Sequence, residues 1–450
     1  MRETLFRAAQ PTGTTPSEEL VGQLQDPDLT RRCWDQSLAP ITTTAAATVS
    51  AHAATILWPY PAGTADCVDR ANCADHFLRA NPGYHVVTPL GLAHPDVDRL
   101  LDCTDVVLFL PFENAADELT VAGSHLQMRG RQIDAVISEL APGYLWRHGI
   151  LDLDPQQPRW PLETHLVNGH LIAAHKGQQA RHFAAYCRQQ ADIVALDTIV
   201  VATLEELTGA LEHLLDGSRA AVLRPFSASQ GTGVTFVDRD HLIRSGGPEA
   251  AAARAIAQIS AALARKYGSP EPFPLIVTPF TEAARLEGCV TDIRIFVCHD
   301  PSSDGLRGLP GMVRRAQVPL DSAGPVTAAA ALTNLNAAPA PAAISGPRFF
   351  PATDPQILAA LGLTPDDLIR LCAHATAIWA TAIQPHGHPG ARGRFAYGSV
   401  DFVIRHSDGI AVPVEMNGTN VGSHPTVHPR WCHAFGAATT HALTQLGFAR

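Results

Sequence analysis

The segment FAYGSVDFVIRHSDGIAVPVEMN, residues 395–417, contains two strand-like runs separated by Ser-Asp-Gly. Both runs are rich in β-branched and aromatic residues, and an Asp-Gly pair between such runs is typical of a β-hairpin. Because side chains alternate across a strand, Glu415 and Asn417 should face the same side, and the turn should bring Asp401 onto the neighbouring strand. The sequence therefore predicts that two carboxylates and one amide oxygen converge.

This trio is a candidate metal site. Asp401, Glu415 and Asn417 carry the oxygen donors that Mg²⁺ prefers, and protein-bound Mg²⁺ usually keeps some waters and bridges nucleotide phosphates. The alternative is a solvated edge hairpin whose acids lie in water. The apolar neighbours Phe402 and Val414 argue against a fully solvated hairpin.

A second candidate is the glycine-bearing segment RPFSASQGTGV, residues 224–234, between two strand-like runs. Glycines allow a tight turn whose backbone N–H groups and hydroxyls could surround phosphate oxygens, and an arginine adds a fixed positive charge. The segment is not a Walker motif, because no Gly-Lys-Ser/Thr follows. The alternative is an ordinary glycine-containing hairpin. The candidate phosphate contacts are Arg224, Ser227, Ser229, Gly231, Thr232 and Gly233.

Charged residues also interrupt two apolar strand-like runs, CVTDIRIFV (289–297) and GMVRRAQ (311–317). Alternation places Asp292 and Arg294 on one face of the first strand, and Arg314 or Arg315 on the second. Burying an unpaired charge costs on the order of several kcal/mol. These groups should therefore either pair with one another or bind an anionic ligand.

Short apolar runs near the N-terminus, TILWPY, YHVVTPL and DVVLFLPF, alternate with helix-like stretches. This alternation predicts a parallel, Rossmann-like α/β domain. The predicted division is an extension over residues 1–50, an α/β domain over 51–160, a small α+β subdomain over 161–270 and a C-terminal subdomain with the metal site over 271–450.

One long helix is predicted to begin after Thr364. The hydroxyl can cap the helix, Pro365 has a pre-set φ, and Asp366 and Asp367 face the positive end of the helix dipole. Apolar residues then repeat at helical spacing from Leu368 to position 382 and should face the core.

Composition limits the classes of protein to be considered. The 450 residues are 46% hydrophobic and 17% charged, which is typical of a folded chain with two or three domains. A net charge of −10 without any Lys/Arg-rich run argues against nucleic-acid binding. No apolar stretch approaches the ~20 residues of a membrane helix, and the N-terminus lacks a secretory pattern. Nine cysteines without a CxxC pair favour reduced thiols. We expect a soluble cytoplasmic protein.

Histidines in SHPTVHPRWCH, residues 423–433, raise the alternative of a zinc site. Pro425 and Pro429 should prevent a helical i,i+4 arrangement of His424, His428 and His433. The segment is therefore interpreted as a loop that lines a substrate pocket.

The order of these segments resembles that of the ATP-grasp superfamily over roughly residues 165–420. The succession is HKGQQARHF, RPFSASQGTGV, TEAARLEGCVTDIRIFV, VRRAQ, TNLN, and then Asp401 followed by EMN. The resemblance implies an ATP-grasp fold with an N-terminal Rossmann-like pre-grasp domain. The overall layout is similar to pheganomycin-type peptide ligases.

The resemblance also implies roles for the residues at the nucleotide. Lys176 and Arg224 would reach the ATP phosphates, with the glycine-rich loop closing over them. Thr278 and Phe280 would border adenine, and Asp292 would lie near the ribose. The family usually has Lys where this chain has Arg224, and the substitution keeps the charge.

At the reacting groups, Arg294 and Arg314 would stabilise a substrate carboxylate and its acyl phosphate, with Asn334 beside them. The acidic hairpin would match the family's magnesium triad. ATP and Mg²⁺ are then the cofactors, and the partners are a small-molecule carboxylate and an amine or peptide substrate. A homodimer is the oligomeric state that the resemblance implies. The GTNVGSHP segment after Glu-x-Asn departs from the family pattern and leaves the amine substrate open.

Two other functions remain open from the sequence. The same site could transfer a phosphoryl group to a substrate that no amine captures, or the chain could be a non-catalytic ATP-binding regulatory protein. Dependence of ADP release on an added amine would separate the first from ligation.

Overall fold

The computed structural model of the chain describes residues 53–60, 73–74, 76–87, 92, 97–111, 115, 117–137, 150, 160, 162–168, 176–226, 228, 231–300, 305–333, 343–344, 346–383, 395–418 and 428–448. The predicted extension over residues 1–50 lies outside these ranges. No helix in the described residues is both long and apolar enough to cross a membrane. The predicted mixture of α/β and α+β architecture is confirmed by three larger sheets, described below.

The N-terminal region contains a five-stranded sheet in the order β2-β3-β1-β7-β8, and every pairing in it is parallel. A small antiparallel meander, β4-β5-β6, is inserted before β7 and was not predicted. The elements are β1 (Thr55–Tyr60), β2 (His85–Val87), α1 (Val97–Cys103), β3 (Val106–Pro111), β4 (Leu119–Ala122), β5 (His125–Met128), β6 (Arg131–Gln132), β7 (Ala135–Ile137) and β8 (His165–Val167). The three predicted apolar runs form β1, β2 and β3.

A helix and then a four-stranded antiparallel sheet follow, in the order β11-β10-β12-β9. The elements are α2 (Lys176–Cys187), β9 (Ile199–Val201), α3 (Leu204–Gly217), β10 (Ala220–Pro225), β11 (Thr235–Asp238), α4 (Arg239–Ser245), α5 (Pro248–Tyr267) and β12 (Leu275–Pro279). Leu211 of α3 and Ile259 of α5 pack in one core with Leu223 and Val277 of the sheet. These helices bury one face of the sheet and leave the other face for the site.

The C-terminal region is built on a larger antiparallel sheet in the order β16-β15-β14-β17-β18, with a short strand pairing at β14. The elements are β13 (Arg285–Leu286), β14 (Cys289–Asp300), β15 (Gly305–Arg315), α6 (Ala328–Ala331), β16 (Phe349–Pro351), α7 (Pro355–Ala360), α8 (Pro365–Ile383), β17 (Tyr397–Ile404), β18 (Ala411–Asn417) and α9 (His428–Gln445).

One detail of this region corrects the interpretation of the sequence. The run GMVRRAQ was expected to be a strand throughout, but β15 ends at Arg315, and the N–H of Ala316 donates to the Val290 carbonyl instead.

The start of α8 is confirmed. The Asp367 N–H donates to Thr364 Oγ1 at 3.2 Å, and Asp367 Oδ2 accepts from the Thr364 N–H at 2.7 Å. Leu368, Leu371 and Trp379 of the predicted stripe are buried in the core against the large sheet. The reciprocal pair of bonds satisfies helix N-terminal N–H groups in the manner of a capping box.

Helix α9 packs the large sheet against the N-terminal sheet. Phe435 of α9 shares a core with Trp58 of β1 and Phe296 of β14. The interpretation of the histidine-containing segment as a loop is wrong from His428 onward, where α9 begins. Pro429 lies in the first turn of this helix, where a missing N–H is tolerated. His424 lies outside the described residues.

Candidate functional site

A cavity lies between the four-stranded sheet and the large sheet. One end is apolar and aromatic: Phe236 and Phe280 meet edge to face, with ring centroids 6.2 Å apart, and Thr278 and Val403 lie beside them. The other end carries charged side chains from both sheets and from α2. Such an amphipathic cavity suits a ligand with a flat apolar ring at one end and anionic groups at the other.

The glycine-bearing turn between β10 and β11 forms part of the cavity wall. Gly231 and Gly233 both have φ of +72°, a region that side-chain-bearing residues rarely adopt. A Cβ at Gly233 would also lie 3.0 Å from Pro225 Cγ. Thr232 lines the cavity, and Lys266 Nζ donates to its hydroxyl at 3.0 Å. The turn therefore requires glycine at position 233 and presents a hydroxyl at position 232.

The charged side chains of the large sheet pair with one another. Arg294 clamps Asp401 through Nε and Nη2, both at 2.7 Å. Arg314 clamps Asp292 in the same way at 2.7 and 2.5 Å, and also donates to Asp401 at 2.8 Å. The Thr333 hydroxyl donates to Asp292 at 2.7 Å. Of the two alternatives for these groups, mutual pairing is the one found.

This network fixes the charge of its members. Burial opposes ionisation of Asp401, which is 1% exposed, but the charges of Arg294 and Arg314 outweigh burial and hold its pKa at about 2. Burial likewise opposes the charge on Arg314, yet Asp292 and Asp401 raise its pKa above the ordinary value. Asp401 is therefore a carboxylate at any ordinary pH.

Helix α2 is fastened to β18, which is an edge strand of the large sheet. Lys176 Nζ pairs with Glu415 Oε1 at 2.5 Å. Three residues further along the helix, the Gln179 amide accepts from the Met416 N–H at 2.9 Å and donates to the Met416 carbonyl at 3.1 Å. The Gln179 side chain thus makes the backbone hydrogen bonds that a neighbouring strand would otherwise make at this edge. It fixes the backbone between Glu415 and Asn417.

Gln179 was not among the predicted site residues. The sequence did contain one indication of its role. Gln179 follows Lys176 by three residues in a helical run, which puts the two side chains on one face of the helix. Burial and the charge of Asp401 oppose ionisation of Glu415, but Lys176, with a smaller contribution from Arg224, outweighs both and lowers the pKa of Glu415. The pair is therefore ionic.

Arg224 projects from β10 into the cavity. Its Nη1 donates to the Val414 carbonyl at 3.1 Å, and its Nε has no hydrogen-bond partner among the described residues. Burial lowers the pKa of Arg224, and Glu415 acts in the opposite direction. Arg224 is thus a cation in the cavity wall that no carboxylate of the described residues clamps.

The predicted metal-binding trio is brought together. Asp401 lies directly opposite Glu415 across β17 and β18, and Asn417 Nδ2 donates to Asp401 Oδ2 at 3.2 Å. These oxygen donors fit a hard cation such as Mg²⁺ in kind. Both oxygens of Asp401 also accept from Arg294, so Glu415, with its side chain 29% exposed, is the more accessible carboxylate. The described ranges contain no group of three His, Cys, Asp or Glu side chains placed to hold a metal.

Most of the predicted site residues meet at this cavity. Those lining it are Lys176, Arg224, Gly231, Thr232, Thr278, Phe280, Asp292, Arg314, Asp401 and Glu415. Gly233, Arg294 and Asn417 adjoin it through the contacts given above. Ser227, Ser229 and Asn334 lie outside the described residues. The individual roles expected for these residues stay predictions.

Comparison with known proteins gave structural similarity only. No protein-family model matches the chain, and no curated protein sequence does. D-alanyl-alanine synthetase A from Vibrio cholerae O1 biovar eltor is 12% identical, with a TM-score of 0.45 over 87% of this chain and 99% of that one. D-cycloserine synthetase DcsG is 14% identical, with a TM-score of 0.45 over 86% and 99% of the two chains. VanG D-Ala:D-Ser ligase from Enterococcus faecalis is 11% identical, with a TM-score of 0.46 over 89% and 100%. Similarities at this level assign neither a family nor an activity to the chain.

Proposed function

We propose that this chain is an ATP- and Mg²⁺-dependent ligase with an ATP-grasp fold, joining a carboxylate to an amine through an acyl phosphate. The observation that carries the proposal is the composition of one cavity: an aromatic end, a glycine-bearing turn with unclamped cationic Arg224, and the facing carboxylates Asp401 and Glu415. A nucleotide has a matching distribution of an aromatic base and anionic phosphates.

The base would lie against Phe236 and Phe280, where Thr278 supplies a hydroxyl in an otherwise apolar wall. The phosphates would then extend toward Lys176 and Arg224. Arg224 comes from β10 of the four-stranded sheet and Lys176 comes from α2. The backbone N–H groups of the glycine-bearing turn add further donors. This orientation leaves the large sheet to hold the reacting carboxylate.

In the proposed reaction an oxygen of the substrate carboxylate attacks the γ-phosphorus of ATP, and the bond to the ADP oxygen breaks. The amine then attacks the acyl carbon, phosphate leaves, and the amine loses a proton. A carboxylate is a poor electrophile, so the site must mainly position the reactants and neutralise charge. Arg314, which lines the cavity, would face the transferred group, and Arg294 would hold Asp401 in place. Mg²⁺ on Glu415, Asn417 and Asp401 would neutralise phosphate charge.

The finer assignment rests on the sequence resemblance. We propose an amino-acid-like carboxylate as acyl donor and a peptide or amino acid as amine, in natural-product biosynthesis of the pheganomycin type. The proposed domain division is 51–160, 161–270 and 271–450, with a cytoplasmic location and a homodimer as the working assembly.

The test is incubation of the full chain with ATP, Mg²⁺ and pools of amino acids and short peptides, followed by mass spectrometry. A condensed product and amine-dependent ADP release are expected. Glu415→Gln should abolish both, while Glu212→Gln, an equal change of charge on the exposed face of α3, should leave both unchanged. ADP release without any amine would favour simple phosphoryl transfer. Binding of ATP without turnover would favour a regulatory protein, and absence of ATP binding would refute the proposal.

A further inference from the structure

Three titratable side chains outside the cavity form a continuous chain of hydrogen bonds. Tyr186 lies in the last turn of α2, His374 lies on α8, and Asp192 follows α2. The Tyr186 hydroxyl and His374 Nδ1 are 2.8 Å apart, and His374 Nε2 and Asp192 Oδ2 are 3.1 Å apart. Because none of the three residues lines the cavity described above, the chain can act on a ligand there only through another residue.

The chemistry of the three groups gives these hydrogen bonds a direction. The hydrogen bond from His374 holds the pKa of Asp192 below its ordinary value, so Asp192 is a carboxylate and can only accept. Burial raises the pKa of Tyr186, so its hydroxyl keeps its proton. In the neutral imidazole, Nε2–H then donates to Asp192, and Nδ1 accepts from Tyr186. The His374 ring, whose side chain is 11% exposed, thus uses both nitrogens to join two side chains.

Both partners of Tyr186 in this chain are fixed to the large sheet. The segment that begins at Asp192 pairs with the first residue of β18, because the Val194 N–H donates to the Ala411 carbonyl at 3.0 Å. His374 belongs to α8, whose apolar stripe is buried against the large sheet. The Tyr186 hydroxyl therefore connects the end of α2 to a rigid support.

Helix α2 is attached at two places along its length. Its first half is attached to β18 through Lys176 and Gln179. Its second half is attached to α8, because His182 Nε2 donates to the Ile378 carbonyl at 2.8 Å and Tyr186 bonds α8 one turn later. A single attachment fixes one point on a helix but not the direction of its axis. Tyr186, about 10 Å along the axis from Gln179, is placed to set that direction.

We propose that Tyr186, His374 and Asp192 are positioning residues for Lys176. By fixing the direction of α2, their hydrogen bonds hold the Lys176 ammonium group where it meets a nucleotide phosphate. Misplacing a charged group by about 1 Å is enough to weaken its contribution. The inference rests on the proposed function, because it requires that Lys176 contacts a phosphate.

The test is a double-mutant cycle on the Kd of MgATP, measured by calorimetry with the full chain. Tyr186→Phe removes one hydroxyl and keeps the ring. It should raise the Kd at least threefold relative to Tyr84→Phe, which removes a hydroxyl that donates to the Phe448 carbonyl, also at 2.8 Å. In a Lys176→Met background, Tyr186→Phe should change the Kd less than about 1.5-fold, because the residue through which it acts is gone.

Variants of His374 test the same chain from its centre. His374→Leu removes the acceptor of the Tyr186 hydroxyl and should raise the Kd of MgATP at least as much as Tyr186→Phe does. His374→Asn carries an amide oxygen that can take the place of Nδ1, so it should recover part of the loss.

The outcomes separate this inference from the proposed function. If Tyr186→Phe binds MgATP as tightly as Tyr84→Phe, the positioning role is wrong and the proposed function stands. The same conclusion follows if Tyr186→Phe raises the Kd by an equal factor with and without Lys176, because the effect would then be a general one on the fold. A wild-type chain that does not bind MgATP would overturn both.

Discussion

Replacing Asp401 by asparagine should destabilise the fold strongly, whatever its role toward a metal. The Asp401 carboxylate accepts two bonds from Arg294 and one from Arg314, all within 2.8 Å, and these arginines are 5% and 3% exposed. A neutral amide removes the carboxylate that Arg294 clamps, whereas Arg314 keeps its pair with Asp292. Breaking a buried ion pair in this way costs about 3–5 kcal/mol.

Glu415→Gln should behave differently although Glu415 faces Asp401 across the hairpin. Its partner is Lys176, and the two side chains are 29% and 13% exposed. The pair is partly buried but less enclosed than the Asp401 network, and glutamine can still accept a hydrogen bond from Lys176. Its loss should therefore lower the free energy of unfolding by less, about 1–2 kcal/mol. Loss of ATP turnover in Glu415→Gln would therefore report on the site, whereas loss in Asp401→Asn could follow from unfolding alone.

The assay combines urea unfolding of both variants with ATP turnover at matched folded fractions. Asp408→Asn, in the exposed turn of the same hairpin, is the control: it loses an exposed pair with Arg405, so it should change the stability much less than Asp401→Asn does and leave ATP turnover unchanged. An Asp401→Asn protein within about 1 kcal/mol of the wild-type stability would refute the claim that this carboxylate neutralises buried Arg294.

Three further predictions concern other parts of the structure. Gln179→Leu removes both side-chain hydrogen bonds to the edge strand and should raise the half-saturating concentration of MgATP severalfold in a titration. Gln190→Leu, at an exposed position, is the control and should not raise it. Equal MgATP affinities of the two variants would exclude a role of Gln179 in positioning the edge strand. The pKa of Asp401 in the folded protein is about 2, against an ordinary 3.8, so its contribution to stability is present above pH 3.8 and is lost as the pH falls toward 2. The free energy of unfolding measured in urea should fall by about 2 kcal/mol across this window because of this group. A free energy of unfolding that does not change with pH there would contradict this prediction. Burial raises the pKa of Cys298 and of Cys372 to about 12, so iodoacetamide at about pH 8 should modify neither in the native protein, as checked by peptide mass spectrometry; rapid native modification of either would contradict the assignment.

Local features of the site could be predicted from the sequence. The two runs around the Ser-Asp-Gly turn form β17 and β18, and their antiparallel register places Asp401 beside Glu415. Alternation and turn chemistry act over a few residues, so they can be read directly from the pattern. The glycine-bearing turn could be predicted for the same reason, since glycine is the residue that most readily adopts positive φ. In the structure Gly231 and Gly233 both do so.

Long-range pairings could not be predicted in the same way. Gln179 and Met416 are separated by 237 positions in the chain, and nothing local to either residue indicates that a helix will dock on that strand. The sequence likewise left open whether Arg294 pairs or binds a ligand, since the answer depends on β17 lying beside β14. Helix α3 was missed despite a helical repeat of leucines, including Leu207 and Leu211, that was present in the sequence.

The ion pairs of the cavity suggest how ligand binding would be coupled at this site. Lys176 is held by Glu415, and the charges of Lys176 and, to a smaller extent, of Arg224 lower the pKa of Glu415. An anionic phosphate chain that attracted Lys176 and Arg224 would take away the cation that Glu415 now uses. Glu415 would then need another positive partner, which a divalent cation on the same phosphates supplies. Nucleotide and cation should therefore each strengthen the binding of the other, and removing the Glu415 charge should weaken that coupling more than it weakens binding of the nucleotide alone.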